Sequence, residues 1–190
     1  METINGSLLQ RNISKVFPSK IAAQSVELLF LFLIGMLAIT LHAKLRIPMH
    51  LPGKQGLIFM LFIILARSSS SYSFAASLTC LGASSLLFLN IFGFDDPFMP
   101  LVYIFIGIVM DLLFGFASKL PAKALIIGLA SGLSWMAIPL FRILISNLTG
   151  FPYLSLAGGL AFPLFTHFTF GFLGGYIGFN LVRIFNKNTK

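Results

Sequence analysis

From Ala22 to Ala43 the chain runs 22 residues with Glu27 as its one fully charged side chain. About 20 predominantly apolar residues in helical form cross the roughly 30 Å of hydrocarbon in a bilayer. Further apolar stretches begin near residues 55, 73, 98, 122 and 155. They are continuous, and do not alternate apolar and polar residues in segments of about 10 as the strands of a membrane barrel do. Hydrocarbon offers no water to satisfy backbone N–H and C=O groups, so helices remain as the way across. Only 9% of the 190 residues are charged, against roughly 25% in a soluble domain. The 22 Phe and the mean hydropathy of +0.96 agree. The expected fold class is all-α: a polytopic membrane helix bundle of about six transmembrane helices, one integral membrane domain over 1–190.

Proline and glycine divide this domain. The pattern predicts helices over 22–43, 55–67, 73–92, 98–118, 122–147 and 155–185. The second is short for a full crossing. The fifth has Pro139 as a candidate kink, and the sixth is long enough to tilt or to break near Pro163. Between the first two lies a stiff loop, Ile47-Pro48-Met49-His50-Leu51-Pro52-Gly53, flanked by Lys44, Arg46 and Lys54. Gly93-Phe94-Asp95-Asp96-Pro97 ends the third helix, and Gly150 and Pro152 mark the turn before the sixth. The run over 22–43 exceeds the roughly 7–15 apolar residues of a secretory signal, and it reads as a retained helix. Residues 1–20 form a basic amphipathic arm, with Ile13, Val16 and Phe17 set against Arg11, Lys15 and Lys20.

The net charge of +8 does not mark a nucleic-acid binder, because the basic residues cluster at segment ends, where lipid headgroups lie. By the positive-inside rule both termini are cytoplasmic, together with Arg67, Lys119, Lys123, Arg183 and Lys187. The Asp95–Asp96 turn and the uncharged 147–154 loop then face outward from a cell inner (plasma) membrane. One loop breaks this pattern: the 44–54 loop is basic on the outer side. Either the second helix does not cross, or the loop holds its cations for a reason; the other loops favour the latter.

Ionisable groups inside a membrane are costly and point to function or to a structural partner. Arg142, in the outer third of its helix, suits a bidentate grip on a carboxylate or phosphate, or snorkels to the headgroups. His167 lies too deep to snorkel and suits a ligand or a helix–helix hydrogen bond. Trp135 is a stacking surface or simple packing. Asp111 either relays protons and pairs with a cation, or serves structure near the inner interface, and Glu27 suits an interfacial position. His50 and Lys54 belong to the rigid basic loop, which reads as an anion-binding lid, with Asp95 a further candidate. Expected substrate-binding residues are therefore His50, Lys54, Asp95, Trp135, Arg142 and His167. The single cysteine, Cys80, allows no intrachain disulfide framework and no multi-cysteine metal site. Gly128 and Gly132, Gly171 and Gly175, and Gly174 and Gly178 have the spacing that lets helix backbones approach. No HExxH, GxSxG or GxxxxGK[ST] pattern occurs, so the expectation is no enzyme, no cofactor, no resident metal and no nucleotide site of its own.

These features together resemble the substrate-binding S component of an energy-coupling-factor (ECF) transporter, the class of ABC importers for vitamins and metal ions. The resemblance covers about residues 20–185. It rests on the Pro-rich loop at 47–53, on Gly107-Ile108-Val109-Met110-Asp111-Leu112-Leu113, and on the sequence from His167 through Gly171, Gly174, Gly175 and Gly178. It implies capture of a small water-soluble nutrient from outside, in a pocket between the outer halves of the last three helices and capped by the first loop. It further implies partnership with an ECF transmembrane coupling subunit and ATPase subunits, with docking and toppling in the lipid bilayer. The Ala-x-x-x-Ala spacing common on the first helix of that family is absent, Gly35 and Ala38 being the small residues there. The Gly…Asp-Leu-Leu pattern is also similar to the rod-shape-determining MreD type of membrane scaffold. A pocket lined by Arg142, His167 and Trp135 favours transport over that alternative.

Overall fold

In the computed structural model, residues 8–17, 19–45 and 51–188 are described, without the side chains of Leu8, Arg11 and Asn188. Arg46 and His50 lie outside the described residues. Seven α-helices occur among them: α1 Leu8–Val16, α2 Lys20–Lys44, α3 Gly56–Ser69, α4 Ala75–Phe88, α5 Met99–Ala117, α6 Lys123–Thr149 and α7 Ala161–Asn188. A short 3-10 turn, Leu154–Leu156, precedes α7, and no strand occurs among the described residues. Four helices are long and apolar enough to cross a membrane: α2, α5, α6 and α7. The two others, α3 and α4, have 14 residues each, about 21 Å at 1.5 Å per residue.

The predicted boundaries shift where turn chemistry overrides hydropathy. The apolar run 73–92 keeps helical form only to Phe88; Asn90 has φ 48° and Gly93 φ 65°, and that left-handed backbone ends the helix. α6 continues to Thr149 and stops at Gly150, whose φ is 73° and whose N–H donates to the Ser146 carbonyl at 2.8 Å, a left-handed glycine cap. Pro139 sits inside α6 without ending it, although it cannot donate to the Trp135 carbonyl four residues before. α7 begins at Ala161 rather than near 155 and runs through Pro163 unbroken. Pro163 falls in the first turn, where its missing N–H leaves no intrahelical bond unmade.

Six helices close into a ring in the order α2, α4, α5, α6, α7, α3, with α1 against α2. Successive helices alternate in direction. One end of the bundle therefore gathers Arg67, the Lys119–Lys123 turn and the last turns of α7. The other carries Lys44, the 51–55 turn, Asp95, Asp96 and the loop before α7. On α2 the buried residues Ala23, Glu27, Leu31, Gly35, Ala38 and Ile39 recur every three or four positions and form one inward face. Outward faces stay apolar: Leu33, Leu81, Ile108, Leu133 and Phe165 are all exposed. An apolar perimeter of this kind suits lipid rather than water.

Small residues set the distances between helices. A side chain at Gly35 on α2 would run into the Thr79 carbonyl of α4, and one at Gly82 on α4 into the Phe32 carbonyl of α2. On α7 the two glycine pairs serve two neighbours. Gly171 and Gly175 lie against Trp135 and Ser131 of α6, whereas Gly174 and Gly178 lie against the Leu57 and Leu61 carbonyls of α3. Contacts this close secure dispersion and interhelical hydrogen bonds in hydrocarbon, where burial of apolar surface gives little. Ser131 Oγ supplies one, donating to the Gly171 carbonyl at 2.8 Å.

Candidate functional site

A small cavity of about 150 Å³ lies at the Asp96 end of the bundle, lined by His42, Gly53, Gln55, Met99, Val102, Tyr103, Trp135, Ile138, Arg142 and His167. Five elements meet there: α2, the turn before α3, α5, α6 and α7. Larger recesses of about 430 to 600 Å³ exist elsewhere on the bundle. The smaller cavity gathers the side chains with usable chemistry.

Its wall is aromatic. Tyr103 and Phe59 meet edge-on with ring centres 4.7 Å apart, and Trp135 lies 5.5 Å from Phe59. The His42 ring is 6.0 Å from Tyr103, and His167 lies nearly parallel to Trp135 at 6.3 Å and 29°. These separations are in the range where ring pairs attract beyond simple burial. His42 Nδ1 and the Tyr103 hydroxyl share a hydrogen bond of 3.0 Å. His167 Nδ1 is 2.7 Å from the Pro163 carbonyl. A carbonyl only accepts, so Nδ1 holds the proton and Nε2 of the neutral ring is an acceptor.

The turn at 51–55 forms one wall of the cavity. Trp135 Nε1–H donates to the Gly53 carbonyl at 2.9 Å, and the Gly56 N–H donates to the same oxygen at 2.8 Å. Gly53 has φ 74° and packs on the His167 ring; Gly56 packs on the Trp135 indole. A Cβ at either position would enter a ring, so the glycines let this backbone lie flat against two aromatic faces.

Arg142 forms the charged rim. Its Nη2 is 3.4 Å from Asp96 Oδ2, and its guanidinium lies 5.3 Å from the centre of the Tyr153 ring, a cation–π distance. Asp96 Oδ1 also accepts from the Tyr153 hydroxyl at 3.2 Å and from the Phe98 N–H at 3.0 Å. Tyr153 stands in the loop before α7. Burial, the Asp96 charge and their hydrogen bond push its hydroxyl up to about 12. Two cavity-lining atoms are shielded from water and have no hydrogen-bond partner among the described residues: Arg142 Nε and Gln55 Oε1. Shielded polar atoms are normally satisfied, and these two are not.

Three expected site residues, Trp135, Arg142 and His167, converge on this cavity. Asp95 is exposed and lines a neighbouring open groove with Asp96. Lys54 follows Gly53 in the same turn and is not among the cavity-lining residues. His50 lies outside the described residues. Sequence reasoning passed over His42, Gln55 and Tyr103. His42 was open to the argument applied to His167, an imidazole inside an apolar run; Tyr103 and Gln55 carried no comparable signal.

Asp111 belongs to the opposite end. It accepts from the Ala76 N–H at 3.1 Å, the Ser77 N–H at 2.7 Å and the Ser77 hydroxyl at 2.7 Å. Arg67 Nε stands 2.8 Å from it; the N–H is off the line of that contact, so the contact is an ion pair more than a hydrogen bond. Nearby, Glu27 is buried and accepts from Ser70 Oγ at 2.7 Å.

Among the described residues no group of three His, Cys, Asp or Glu side chains gathers as a metal site. Comparison with family models, with curated proteins and with solved structures finds no match.

Proposed function

We propose that this protein is a membrane-embedded substrate-binding subunit of the energy-coupling-factor kind, which captures a small water-soluble nutrient for ATP-driven uptake. The observation that carries the reading is the small cavity beside the 51–55 turn. It joins an aromatic wall, a cationic rim and two unpartnered polar atoms, the combination expected of a small-molecule site. A scaffold of the rod-shape-determining MreD type needs no such cavity.

On this reading all six ring helices cross a cell inner (plasma) membrane, α3 and α4 as short crossings flanked by the longer ones. Both termini are cytoplasmic, which puts Arg67, Lys119, Lys123 and Arg183 inside. The cavity then lies at the outer end of the bundle. ATP hydrolysis falls to partner ATPase subunits through a transmembrane coupling subunit. The lining supplies two imidazoles and no carboxylate, which suits an organic nutrient better than a metal ion.

The test is thermal unfolding of the purified chain in lipid nanodiscs against a panel of water-soluble vitamins and metal ions. A ligand at 100 times its Kd stabilises the folded state by about 2.7 kcal/mol. At 2–4 °C per kcal/mol that raises Tm by roughly 5–10 °C. A panel that moves Tm for no compound, together with no co-purified small molecule, removes the binding role.

A further inference from the structure

The cavity is specific enough to define a ligand class, and this inference rests on the binding-subunit reading above. We propose that it takes a single planar ring, aromatic or heteroaromatic, bearing a carboxylate and an N–H or O–H donor. Size sets the first term. A cavity of about 150 Å³ matches an engineered apolar cavity of about 150 Å³ that holds benzene. A two-ring acid such as 1-naphthoate is larger than a substituted single ring and exceeds the cavity unless the 51–55 turn opens.

Shape and polarity of the wall set the second. Tyr103, Trp135 and His167 present ring surface, with Met99, Val102 and Ile138 between them. Trp135 and His167 are already in contact at 6.3 Å, so the guest lies against this wall and not between the two rings.

Unused hydrogen-bonding capacity sets the third. A guanidinium has five N–H donors. Arg142 spends one on Asp96, at a long 3.4 Å, and the Asp96 oxygens are shared with Tyr153 and Phe98. Arg142 lines the cavity, and a guanidinium edge with spare N–H groups fits the two oxygens of one carboxylate. Gln55 Nε2 donates to the Leu45 carbonyl at 3.3 Å, which fixes the amide orientation because that carbonyl only accepts. Its Oε1, shielded and unpartnered, calls for a donor on the guest.

Calorimetric titration of the chain in nanodiscs tests this with 4-aminobenzoate, benzoate, 4-aminobenzamide and 1-naphthoate. The expected order is 4-aminobenzoate tightest, benzoate weaker for want of the donor, and 4-aminobenzamide weaker by at least about tenfold, as loss of a charge-assisted pair implies. No uptake of 1-naphthoate is expected. Arg142→Gln should collapse the preference for 4-aminobenzoate over 4-aminobenzamide to about one. Gln55→Leu should remove the preference for 4-aminobenzoate over benzoate. Equal binding of the acid and the amide by the unaltered chain, or binding of 1-naphthoate, overturns the assignment. Mass spectrometry of small molecules that co-purify from native membranes separates the two levels. A bound single-ring acid supports the class; a bound molecule of another class overturns it and leaves the binding subunit standing. No bound molecule, with no Tm shift from these probes or the wider panel, overturns both.

Discussion

Replacing Asp111 by alanine removes the carboxylate that links α5 to α4 by hydrogen bonds and to α3 by an ion pair. Its carboxylate holds the Ala76 and Ser77 N–H groups, the second and third residues of α4, so it does from α5 what a capping side chain does within one helix. It also neutralises Arg67, which is 9% exposed and lies with its guanidinium 4.3 Å from the Phe114 ring centre. Breaking a buried pair by removing one partner costs about 3–5 kcal/mol, because the other charge is stranded. Loss of a cap costs about 1 kcal/mol more. Arg67 keeps some exposure and its stem can snorkel toward the headgroups, so the lower part of the range applies, about 3–4 kcal/mol in all. At 2–4 °C per kcal/mol, Tm should fall by roughly 6–16 °C. Trp135, the one tryptophan, is buried at the opposite end, so its fluorescence on heating in detergent reports global unfolding and not local damage. Asp111→Asn keeps an acceptor for the α4 N–H groups and should lose about half as much. Adding Arg67→Met to Asp111→Ala removes the stranded charge and should recover part of the loss. A Tm within about 2 °C of the unaltered chain for Asp111→Ala, or no recovery in the double variant, refutes this account.

Three further outcomes are expected. Gly53→Ala places a Cβ at φ 74° and into the His167 ring, so a loss of at least about 1–2 kcal/mol should appear in thermal unfolding, along with weaker binding of whatever ligand the cavity holds. Trp135→Phe keeps a ring but removes the donor to the Gly53 carbonyl; hydrogen exchange at 51–55 should quicken while the Tm falls by only a few degrees, a neutral hydrogen bond being worth about 1 kcal/mol. The Tyr153 hydroxyl is raised from 10.0 to about 12 by burial and by Asp96. A raised folded value means that its stabilisation is complete below pH 10 and lost as pH climbs toward 12. The 295 nm difference titration between the unaltered chain and Tyr153→Phe should show that midpoint, and Asp96→Asn should move it part of the way back toward 10.

The legible parts of the fold are those set by local averages. Hydropathy over 20 residues marked α2, α5, α6 and α7, and Gly150 marked the end of α6 to within a few residues. Boundaries drifted where a few backbone angles decide, as at Asn90, which ends an apolar run that hydropathy extends to 92. Within the site, Arg142, His167 and Trp135 were legible because a charge, an imidazole and an indole in apolar runs are conspicuous. Asp95 and Asp96 were not separable, since adjacent turn residues look alike until the chain direction sends one toward Arg142 and the other to water. Asp111 was conspicuous too, but its place at the far end from the cavity follows from the direction of α5 and its partner Arg67.

Sequence by itself determined that the chain is helical and apolar enough for a membrane, and where most helices begin and end. Those properties depend on side-chain transfer energies and on the backbone limits of glycine and proline, which act within one segment. Only the tertiary structure decided which faces meet. Gly53 and Trp135 are 82 residues apart, and His42 and Tyr103 are 61 apart. Their meeting depends on the rotation and spacing of helices set by Gly35, Gly82 and the four glycines of α7. No single segment encodes that arrangement, because each glycine permits a close approach without naming the partner, and the partner is chosen when all six helices close the ring.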